Sequence, residues 1–335
     1  MIKVAINGFG RIGKLVFRAI IEKNLKNVQI VAINELGSLE SSLHLVNFDS
    51  THGELKTKLY KSNKGIKYNN KNIIFCSERD PAKLPWKKLG VDVVLECSGV
   101  FTSKEKSQSH ILAGAKKVII SAPAQNVDAT IVQGVNNNIL NKKHNIISNG
   151  SCTTNCLAPV AMVLDKVLGI EAGFMTTVHS FTGDQRTLDQ THSDLRRART
   201  ATSSMIPTST GAAKALSLVL PKLKGKLDGT AIRVPTPNVS LIDFTFSSKK
   251  KASVDLINHS MIRASKTKNL KGILTVNNLP LVSIDFNHNS SSSIFDLTQT
   301  QVVRDKFCRV LSWYDNEWGF SNRMIDTLIS LKKFL

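Results

Sequence analysis

The sequence predicts an α/β protein whose first half is a doubly wound parallel sheet. Residues 2–6 form a short apolar run, a glycine-rich turn occupies residues 8–13, and residues 14–21 carry apolar side chains at helical spacing. Short apolar runs then recur, at residues 28–33, 91–96, 118–121 and 145–148. Continuous apolar strands of this length are typical of a sheet buried on both faces. Strand, glycine turn and helix in this order indicate a Rossmann-type unit.

Each glycine of the turn has a separate steric role in such a unit. Gly8 permits the tight turn, Gly10 lets the backbone approach a pyrophosphate, and Gly13 lets the helix lie close to the strand. The free amides at the helix N-terminus then bind the anion. The glycine pattern alone is a weak signal, because glycine turns also serve purely structural ends. Its position between a strand and a helix is what favours nucleotide binding.

An acidic residue strengthens this interpretation. Glu35 follows the second apolar run, about 20 residues beyond the turn, where a carboxylate accepts hydrogen bonds from ribose hydroxyls and repels a 2′-phosphate. The alternative is a surface glutamate in a loop. We expect NAD rather than NADP as the cofactor, with the loops at residues 98–99 and 121–123 lining its cleft.

The composition limits the classes of protein that fit. The 335 residues suit about two domains, 41% of them are hydrophobic, and no apolar run approaches the ~20 residues of a membrane span. The first ten residues do not resemble a secretory signal. The five cysteines have neither CxxC nor zinc-ligand spacing. We therefore expect a cytoplasmic protein with no membrane partner, no disulfide framework and no metal.

The formal net charge of +20 has several explanations. A basic chain can bind nucleic acid or an anionic surface, can handle phosphorylated substrates, or can reflect compositional drift toward lysine. The lysines form short scattered runs, such as residues 249–251 and 332–333, and aromatic residues make up only 6%. Nucleic-acid binding favours one basic stripe with aromatic platforms, so solvated surface charge is the preferred interpretation.

A cysteine in a hydroxyl-rich segment is the strongest candidate for a nucleophile. Cys152 follows an apolar strand and precedes a predicted helix at residues 157–168, with Ser151 as a plausible N-cap. The helix dipole and free amides are expected to lower the pKa of a thiol in the first turn. The alternative is a small buried cysteine. Cys156, one turn later, is interpreted as packing.

A thiol nucleophile needs a base nearby, and His179 is the best candidate among eight histidines. It closes an apolar strand at residues 175–179, whereas the other histidines considered, His52, His110 and His144, lie in polar surroundings. Arg233 ends an apolar strand at residues 230–234, where a surface ion pair is a less natural explanation than anion binding.

Five segments together resemble the glyceraldehyde-3-phosphate dehydrogenase family, in order and over nearly the whole chain. They are INGFGRIG, SCTTNCLAP, TSTGAAKA, RVPTPNVS and WYDNEWGFSNR. The resemblance implies an NAD-binding Rossmann domain at residues 1–151, completed by a C-terminal helix at about residues 319–335. It also implies an α+β catalytic domain with a mostly antiparallel sheet at residues 152–318. A loop at about residues 181–205 would reach a neighbouring subunit's cofactor in a homotetramer.

The resemblance also implies the chemistry. Cys152 would attack the aldehyde of glyceraldehyde 3-phosphate, and His179 would keep the thiol ionised and remove the hydroxyl proton as hydride leaves. Inorganic phosphate would then release the thioester as an acyl phosphate. Substrate phosphate would be held by Thr182, Arg197 and Arg233. The attacking phosphate would be surrounded by Ser151, Thr153, Thr210 and Gly211. NAD would contact Arg11, Ile12, Glu35, Arg79, Ser121 and, at the carboxamide, Asn316.

The chain departs from the family's pattern at several positions. Glu35 stands where Asp is usual, Gly150 where Ala is usual, and Phe320 where Tyr is common, and residues 190–191 are not the Leu-Pro pair of strictly NAD-specific relatives. These differences leave the degree of NADP use open. Erythrose-4-phosphate dehydrogenase is the nearest alternative, and a basic nucleic-acid-binding protein is a distant one. The TSTGAAK segment and Pro237 favour the glyceraldehyde enzyme.

Overall fold

A computed structural model describes residues 1–69 and 71–335 and divides the chain into two compact units. The first unit comprises residues 1–131, 137–150 and 321–335, and the second comprises residues 132–136 and 151–320. The chain therefore enters the first unit three times. Within the described residues, no helix combines the length and the hydropathy that a membrane span requires.

The first unit contains a nine-stranded sheet in the described part of the chain. Its strands are β1 (Ile2–Asn7), β2 (Val28–Asn34), β5 (Tyr60–Ser62), β6 (Gly65–Tyr68), β7 (Lys71–Cys76), β8 (Val93–Glu96), β9 (Lys117–Ile120), β10 (Ala129–Thr130) and β11 (Ile146–Ser148). A separate short pair is formed by β3 (Phe48–Asp49) and β4 (Gly53–Glu54). The helices are α1 (Arg11–Glu22), α2 (Leu39–Asn47), α3 (Trp86–Leu89) and α4 (Lys104–Leu112), with 3-10 turns at Pro81–Lys83 and Asn137–Ile139.

The strand order is β10-β11-β9-β8-β1-β2-β7-β6-β5, and only β5 and β6 at one edge run antiparallel to their neighbours. The order reverses at β1, which pairs in parallel with both β2 and β8. In doubly wound sheets, ligands bind beyond the carboxyl ends of the strands at this point. The predicted Rossmann-type parallel sheet is confirmed.

The second unit contains an eight-stranded sheet in the order β13-β14-β12-β15-β19-β17-β16, with β18 also paired to β19. Its strands are β12 (Ile170–Ser180), β13 (Ile206–Ser209), β14 (Leu227–Val234), β15 (Ser240–Ser248), β16 (Leu274–Asn277), β17 (Ser293–Asp296), β18 (Gln301–Val303) and β19 (Phe307–Tyr314). Five of the pairings are antiparallel, so the predicted mostly antiparallel sheet is confirmed.

Helices pack against one face of this second sheet. They are α5 (Cys152–Leu168), α6 (Ala212–Val219) and α7 (Val254–Ser265), with 3-10 turns at Pro221–Leu223, Ser283–Phe286 and Leu297–Gln299. Strand β15 alternates buried and partly buried residues, as a strand with one core-facing side should. Phe244 and Phe246 on its buried face join the core formed with α5.

The last helix, α8 (Trp318–Leu331), begins in the second unit, and its residues from 321 onward belong to the first. A 3-10 turn at Lys332–Phe334 follows it. Its apolar side chains Met324, Ile325, Leu328 and Leu331 are fully buried. Thr327 Oγ1 donates a hydrogen bond of 2.7 Å to Asn149 Oδ1 within the first unit.

Candidate active site

The candidate nucleophile is the first residue of α5. Ser151 has extended backbone angles, and its hydroxyl accepts a 3.0 Å hydrogen bond from the Thr154 amide, so it is the N-cap. The helix continues from Cys152 to Leu168 and ends at Gly169. The predicted N-cap, the position of Cys152 in the first turn and the helix end at Gly169 are therefore confirmed. Cys152 is partly exposed, which a nucleophile requires.

The sheet of the second unit brings His179 and Arg233 together. Strands β12 and β14 are parallel neighbours, and their register pairs these two residues directly. Arg233 Nη1 lies 2.9 Å from His179 Nδ1 and donates a 3.1 Å hydrogen bond to the Ser180 carbonyl oxygen. The two residues are far apart in the sequence, so only strand pairing makes them neighbours.

His179 also faces the thiol. Its Nε2 lies 3.5 Å from Cys152 Sγ, and its Nδ1 lies 2.7 Å from the Ser180 carbonyl oxygen. With a proton on Nδ1 donated to that carbonyl, Nε2 carries the lone pair that faces the sulfur. This tautomer follows the shorter of two competing contacts at Nδ1, since Arg233 Nη1, which can only donate, also lies 2.9 Å from that atom. A base oriented by a backbone carbonyl and placed beside a thiol is an arrangement suited to nucleophilic catalysis.

Burial shifts the ionisation of all three groups toward the neutral form. It raises the pKa of the Cys152 thiol, an effect that the Arg233 charge and hydrogen bonds from Thr153 partly oppose. It lowers the pKa of His179 to about 3, assisted by the Arg233 charge. It also lowers the pKa of Arg233. The predicted lowering of the Cys152 pKa by the helix N-terminus is therefore wrong, because the amides contribute but desolvation is larger.

Tyr314 is also part of this cluster, although the sequence did not predict it as a site residue. Its buried hydroxyl lies 2.8 Å from Thr153 Oγ1 and 2.9 Å from Thr177 Oγ1, and its ring meets His179 edge to face. Thr177 Oγ1 donates to the Leu241 carbonyl, so it accepts from the tyrosine. Tyr314 therefore joins the start of α5 to the imidazole. The available signal was a tyrosine at the end of an apolar strand inside a family motif.

Arg197, predicted to bind phosphate, is held within its own loop. Its Nη1 donates a 2.8 Å hydrogen bond to Asp184, its Nε donates a 3.0 Å hydrogen bond to Thr208 Oγ1, and Asp194 lies 3.6 Å from Nε. Thr182 begins the same loop, and its carbonyl accepts from the Gln185 amide. An anion bound at Arg197 would share the guanidinium with two carboxylates, which weakens the positive potential there.

Thr210 and Gly211 lie at the start of α6. Thr210 Oγ1 accepts a 3.2 Å hydrogen bond from the Ala212 amide, and Gly211 is the N-cap. No described heavy atom lies within 4 Å of an ideal Cβ on Gly211. The N-cap therefore has no side chain and no close neighbour in the Cβ direction, beside a hydroxyl and the first amides of the helix, an arrangement that suits an anion.

Two other side chains have environments that bear on the sequence interpretation. Cys156 is fully buried, and its sulfur lies 3.5 Å from Ser293 Oγ, which supports the packing role. His110 was placed in polar surroundings by its sequence neighbours, and this was wrong. Its side chain is fully buried between Trp86, Phe101 and Glu96, because one face of the polar helix α4 packs on the sheet.

The glycine turn of the first unit has the sterics of a dinucleotide site. Gly8 has a φ of +86°, and a Cβ there would lie 2.5 Å from the Ser98 backbone. A Cβ on Gly13 would lie 2.1 Å from the Gly8 carbonyl oxygen, whereas no described heavy atom lies within 4 Å of one on Gly10. Two glycines are therefore required by packing and the third leaves an open approach to the N-terminus of α1.

Glu35 is attached to this turn. Its Oε2 accepts a 2.7 Å hydrogen bond from the Phe9 amide and its Oε1 a 3.0 Å hydrogen bond from the Gly37 amide. Burial raises the pKa of Glu35, but the hydrogen bonds from these amides and the Lys14 charge give a net lowering. A carboxylate held ionised beside the turn fits an NAD ribose.

The remaining predicted cofactor contacts have different surroundings. Arg11 is paired with Asp49 at 2.5 Å, Ile12 is partly buried in the first turn of α1, and Arg79 is exposed. The Ser121 amide donates to the Glu96 carbonyl at the end of β8. Asn316 lies in the second unit, where its Oδ1 accepts from Ser180 Oγ and Ser240 Oγ at 2.8 and 2.9 Å.

Comparison with known proteins identifies the family. Residues 2–104 match the family described as glyceraldehyde 3-phosphate dehydrogenase, NAD binding domain, and residues 151–316 match its C-terminal domain. The glyceraldehyde-3-phosphate dehydrogenase of Xanthobacter flavus is 57% identical over 332 residues, which is 99% of each chain. That of Zymomonas mobilis is 54% identical over 335 residues, which is 100% of this chain and 99% of the relative. That of Geobacillus stearothermophilus is 51% identical over 326 residues, 97% of this chain and 96% of the relative. The chain therefore belongs to the glyceraldehyde 3-phosphate dehydrogenase family of NAD-dependent oxidoreductases.

Proposed function

We propose that this protein oxidises D-glyceraldehyde 3-phosphate with NAD and inorganic phosphate to 1,3-bisphosphoglycerate, the phosphorylating step of glycolysis. The observation that carries the proposal is the cluster of Cys152, His179 and Arg233. His179 lies within 3.5 Å of both the Cys152 thiol and the partly buried Arg233 guanidinium, so a base lies between a nucleophile and a cation. An aldehyde with an anionic group is the substrate that such a cluster suits.

The first step is attack of Cys152 Sγ on the aldehyde carbon. As the C–S bond forms, the thiol proton moves to His179 Nε2, 3.5 Å away, and His179 passes it to the carbonyl oxygen to give a neutral hemithioacetal. Bound NAD supplies the hydride acceptor for the oxidation. His179 then takes the hydroxyl proton, so that the hemithioacetal becomes a thioester on Cys152. Sulfur suits this role because a thioester remains a good acyl donor until phosphate attacks.

Two groups of residues are proposed to bind phosphate. Thr182, Arg197 and Arg233 would hold the substrate phosphate, and Ser151, Thr153, Thr210 and Gly211 would surround the attacking phosphate. The uncovered N-terminus of α6 and the Ser151 and Thr153 hydroxyls beside Cys152 support the second group. Attack by this phosphate on the thioester carbon expels the Cys152 thiolate and yields the acyl phosphate.

In the first unit we propose that NAD is held by Gly8, Gly10, Gly13, Arg11, Ile12, Glu35, Arg79 and Ser121. Asn316 in the second unit is proposed for the carboxamide. The open approach at Gly10 and the ionised Glu35 support these assignments. Two serine hydroxyls donate to Asn316 Oδ1 and so orient the side-chain amide, and its Nδ2 is the proposed donor to the carboxamide oxygen.

We further propose a homotetramer in which residues 181–205 approach a neighbouring subunit's cofactor. Large apolar side chains in this loop are strongly exposed in the single chain, with Leu188 at 77%, Leu195 at 81% and Met205 at 75%. Exposed apolar groups on one segment favour a protein partner. We propose the cytoplasm as the location, because the mechanism needs Cys152 as a free thiol and a reducing compartment maintains it.

The test is NADH formation from glyceraldehyde 3-phosphate, NAD and inorganic phosphate. Phosphate-dependent NADH production is expected from the wild type and from Cys156→Ser, which alters only a buried packing sulfur. Cys152→Ser should form no NADH above the blank. Activity of Cys152→Ser equal to that of Cys156→Ser would contradict the thioester mechanism. A preference for erythrose 4-phosphate, measured as kcat/KM, would reassign the substrate.

A further inference from the structure

A buried carboxylate lies at the carboxyl edge of the first unit's sheet and takes no part in the chemistry above. Glu96 is the last residue of β8 and is 1% exposed. Its oxygens accept hydrogen bonds from Asn7 Nδ2 at 2.6 Å, from the Ser98 amide at 2.8 Å and from the Ser98 hydroxyl. The ring nitrogen Nε2 of His110 lies 2.9 Å away.

The donor and the acceptor of each hydrogen bond around Glu96 can be assigned. Trp86 Nε1 lies 3.1 Å from His110 Nδ1, and an indole nitrogen can only donate. His110 Nδ1 is therefore the acceptor, and the imidazole proton lies on Nε2 and points to Glu96. The carboxyl group thus receives four donors for its two oxygens, which fits an ionised carboxylate. Such networks hold their members more rigidly than isolated pairs do.

The network continues across the neighbouring strands. Asn7 Oδ1 accepts a 2.7 Å hydrogen bond from Asn34 Nδ2. The Asn34 side chain in turn bonds both backbone groups of Glu78: Nδ2 donates to its carbonyl and Oδ1 accepts from its amide, each at 2.9 Å. The side chains at the ends of β8, β1 and β2 are therefore linked, and the chain after β7 is attached to them.

Each linked segment leads directly into a proposed cofactor contact. Asn7 precedes Gly8, Asn34 precedes Glu35, and Glu78 precedes Arg79. Ser98, held by Glu96, forms the surface on which Gly8 packs, since a Cβ on Gly8 would lie 2.5 Å from the Ser98 N and Cα atoms. Through these hydrogen bonds, Glu96 is connected to the segments that carry Gly8, Glu35 and Arg79.

We propose that Glu96, oriented by His110, is a positioning residue for NAD binding. The carboxylate holds the loops that begin at Gly8, Glu35 and Arg79 in the geometry that the dinucleotide requires. NAD then binds more tightly, because the loops do not have to be ordered on binding. The inference rests on the proposed cofactor site, and it adds a residue that does not touch the cofactor. It predicts that loss of Glu96 weakens NAD binding and leaves the chemistry on Cys152 intact.

The test is Glu96→Gln, which keeps the side-chain shape and replaces one acceptor oxygen by an NH2 group. Calorimetric titration with NAD should show a dissociation constant raised by about tenfold or more, because donors on the loops lose a charged acceptor. In steady state, the KM for NAD should rise, while kcat at saturating NAD and the KM for aldehyde stay within about twofold of wild type. A general loss of structure would move all of these values.

Lys117→Met is the matched control at the opposite edge of the same sheet. Lys117 is buried at the start of β9, and its Nζ donates to the Lys142 and His144 carbonyls and to Asn145 Oδ1, at 3.1, 2.8 and 3.2 Å. Removing this amine should lower the melting temperature and leave the NAD dissociation constant unchanged.

Asn34→Ser is the second variant. It removes the links of Asn34 to Glu78 and to Asn7 and leaves the buried carboxylate in place, so it tests whether the network positions the loops if Glu96→Gln does not fold. It should weaken NAD binding relative to Lys117→Met. If the wild type binds NAD and both network variants bind it as tightly as the control does, the positioning role is overturned. Failure of the wild type itself to bind NAD would instead overturn the proposed cofactor site.

Discussion

Replacing His179 by glutamine isolates the acid–base function of the imidazole. Glutamine has similar length and remains polar, but it cannot take up a proton at neutral pH. The Arg233 guanidinium keeps its hydrogen bond to the Ser180 carbonyl in the variant. The substitution therefore removes the proton acceptor while leaving the neighbouring cation in place.

The magnitude follows from the distance between the reacting atoms. When the thiol proton moves to Nε2, opposite charges form 3.5 Å apart. At an effective dielectric constant of about 20 their attraction is about 5 kcal/mol. That energy corresponds to roughly three orders of magnitude in rate, within the ~10²–10⁴ that a positioned base contributes. We expect kcat to fall by about a thousandfold.

The pH dependence tests the same reasoning without relying on the size of the effect. In the variant, the thiolate must form by proton loss to solvent, against the burial that raises the pKa of Cys152. The single-turnover rate of the variant should therefore keep rising to higher pH than the wild-type rate does, because burial raises the pKa of the unassisted thiol. The wild-type rate should level off at lower pH because His179 accepts the proton.

The assay is stopped-flow NADH formation between pH 6 and pH 10, roughly the range over which imidazoles and thiols titrate. His259→Gln is the matched control, since it makes the same substitution at an exposed histidine on α7. The control should behave as the wild type does. A His179→Gln rate within about tenfold of wild type, with an unchanged pH profile, would refute a base at this position.

Three further predictions concern the glycine turn, acid stability and cofactor choice. Gly10→Ala should leave the melting temperature nearly unchanged, because its Cβ meets no protein atom, but it should weaken NAD binding, because that Cβ fills the approach to the N-terminus of α1. Gly13→Ala should lower the free energy of unfolding by about 1–3 kcal/mol, because its Cβ would collide with the Gly8 carbonyl oxygen. Thermal unfolding and NAD titration check both. The pKa of His179 is about 3 in the folded protein, below the ~6.5 expected when unfolded, so stability is fully present above pH ~6.5 and is lost as pH falls toward 3. The free energy of unfolding falls by up to about 5 kcal/mol over this pH range. In His179→Gln the melting temperature should depend less on pH over the same range. Glu35→Ala should weaken NAD binding by about tenfold and reduce the preference for NAD over NADP, because the carboxylate that accepts hydrogen bonds from the ribose hydroxyls is gone. Dissociation constants for the two dinucleotides measure this. A ratio of the two constants that is the same in variant and wild type would contradict the role of Glu35.

The parts of the fold that follow from local sequence patterns were predictable. The glycine turn between strand and helix specified the Rossmann-type unit, and the hydroxyl-rich segment before an apolar run specified a helix starting near Cys152. Both signals lie within about a dozen residues, where steric and capping requirements act directly on the chain.

The parts that depend on strand pairing were not predictable in the same way. Nothing near His179 in the sequence identifies Arg233 as its neighbour, since the contact arises from parallel register between two strands. The polar sequence of α4 likewise gave no sign that His110 is buried, because the two buried residues of this short helix, Ser107 and His110, are both polar and leave no apolar periodicity. The shifted ionisation of Cys152 also required the packed structure, since desolvation depends on what surrounds the sulfur.

The threefold entry of the chain into the first unit has a consequence for biosynthesis. Residues 321–335 carry the fully buried side chains of α8, yet the ribosome adds them only after the whole second unit. At ~5–20 residues per second, the rest of the first unit is synthesised on the order of ten seconds before these buried side chains. During that interval the nascent NAD-binding unit lacks residues 321–335, so apolar groups that these residues later help to bury stay exposed to solvent. Exposed apolar surface of this kind is what chaperones bind, and the second unit can already fold in the meantime.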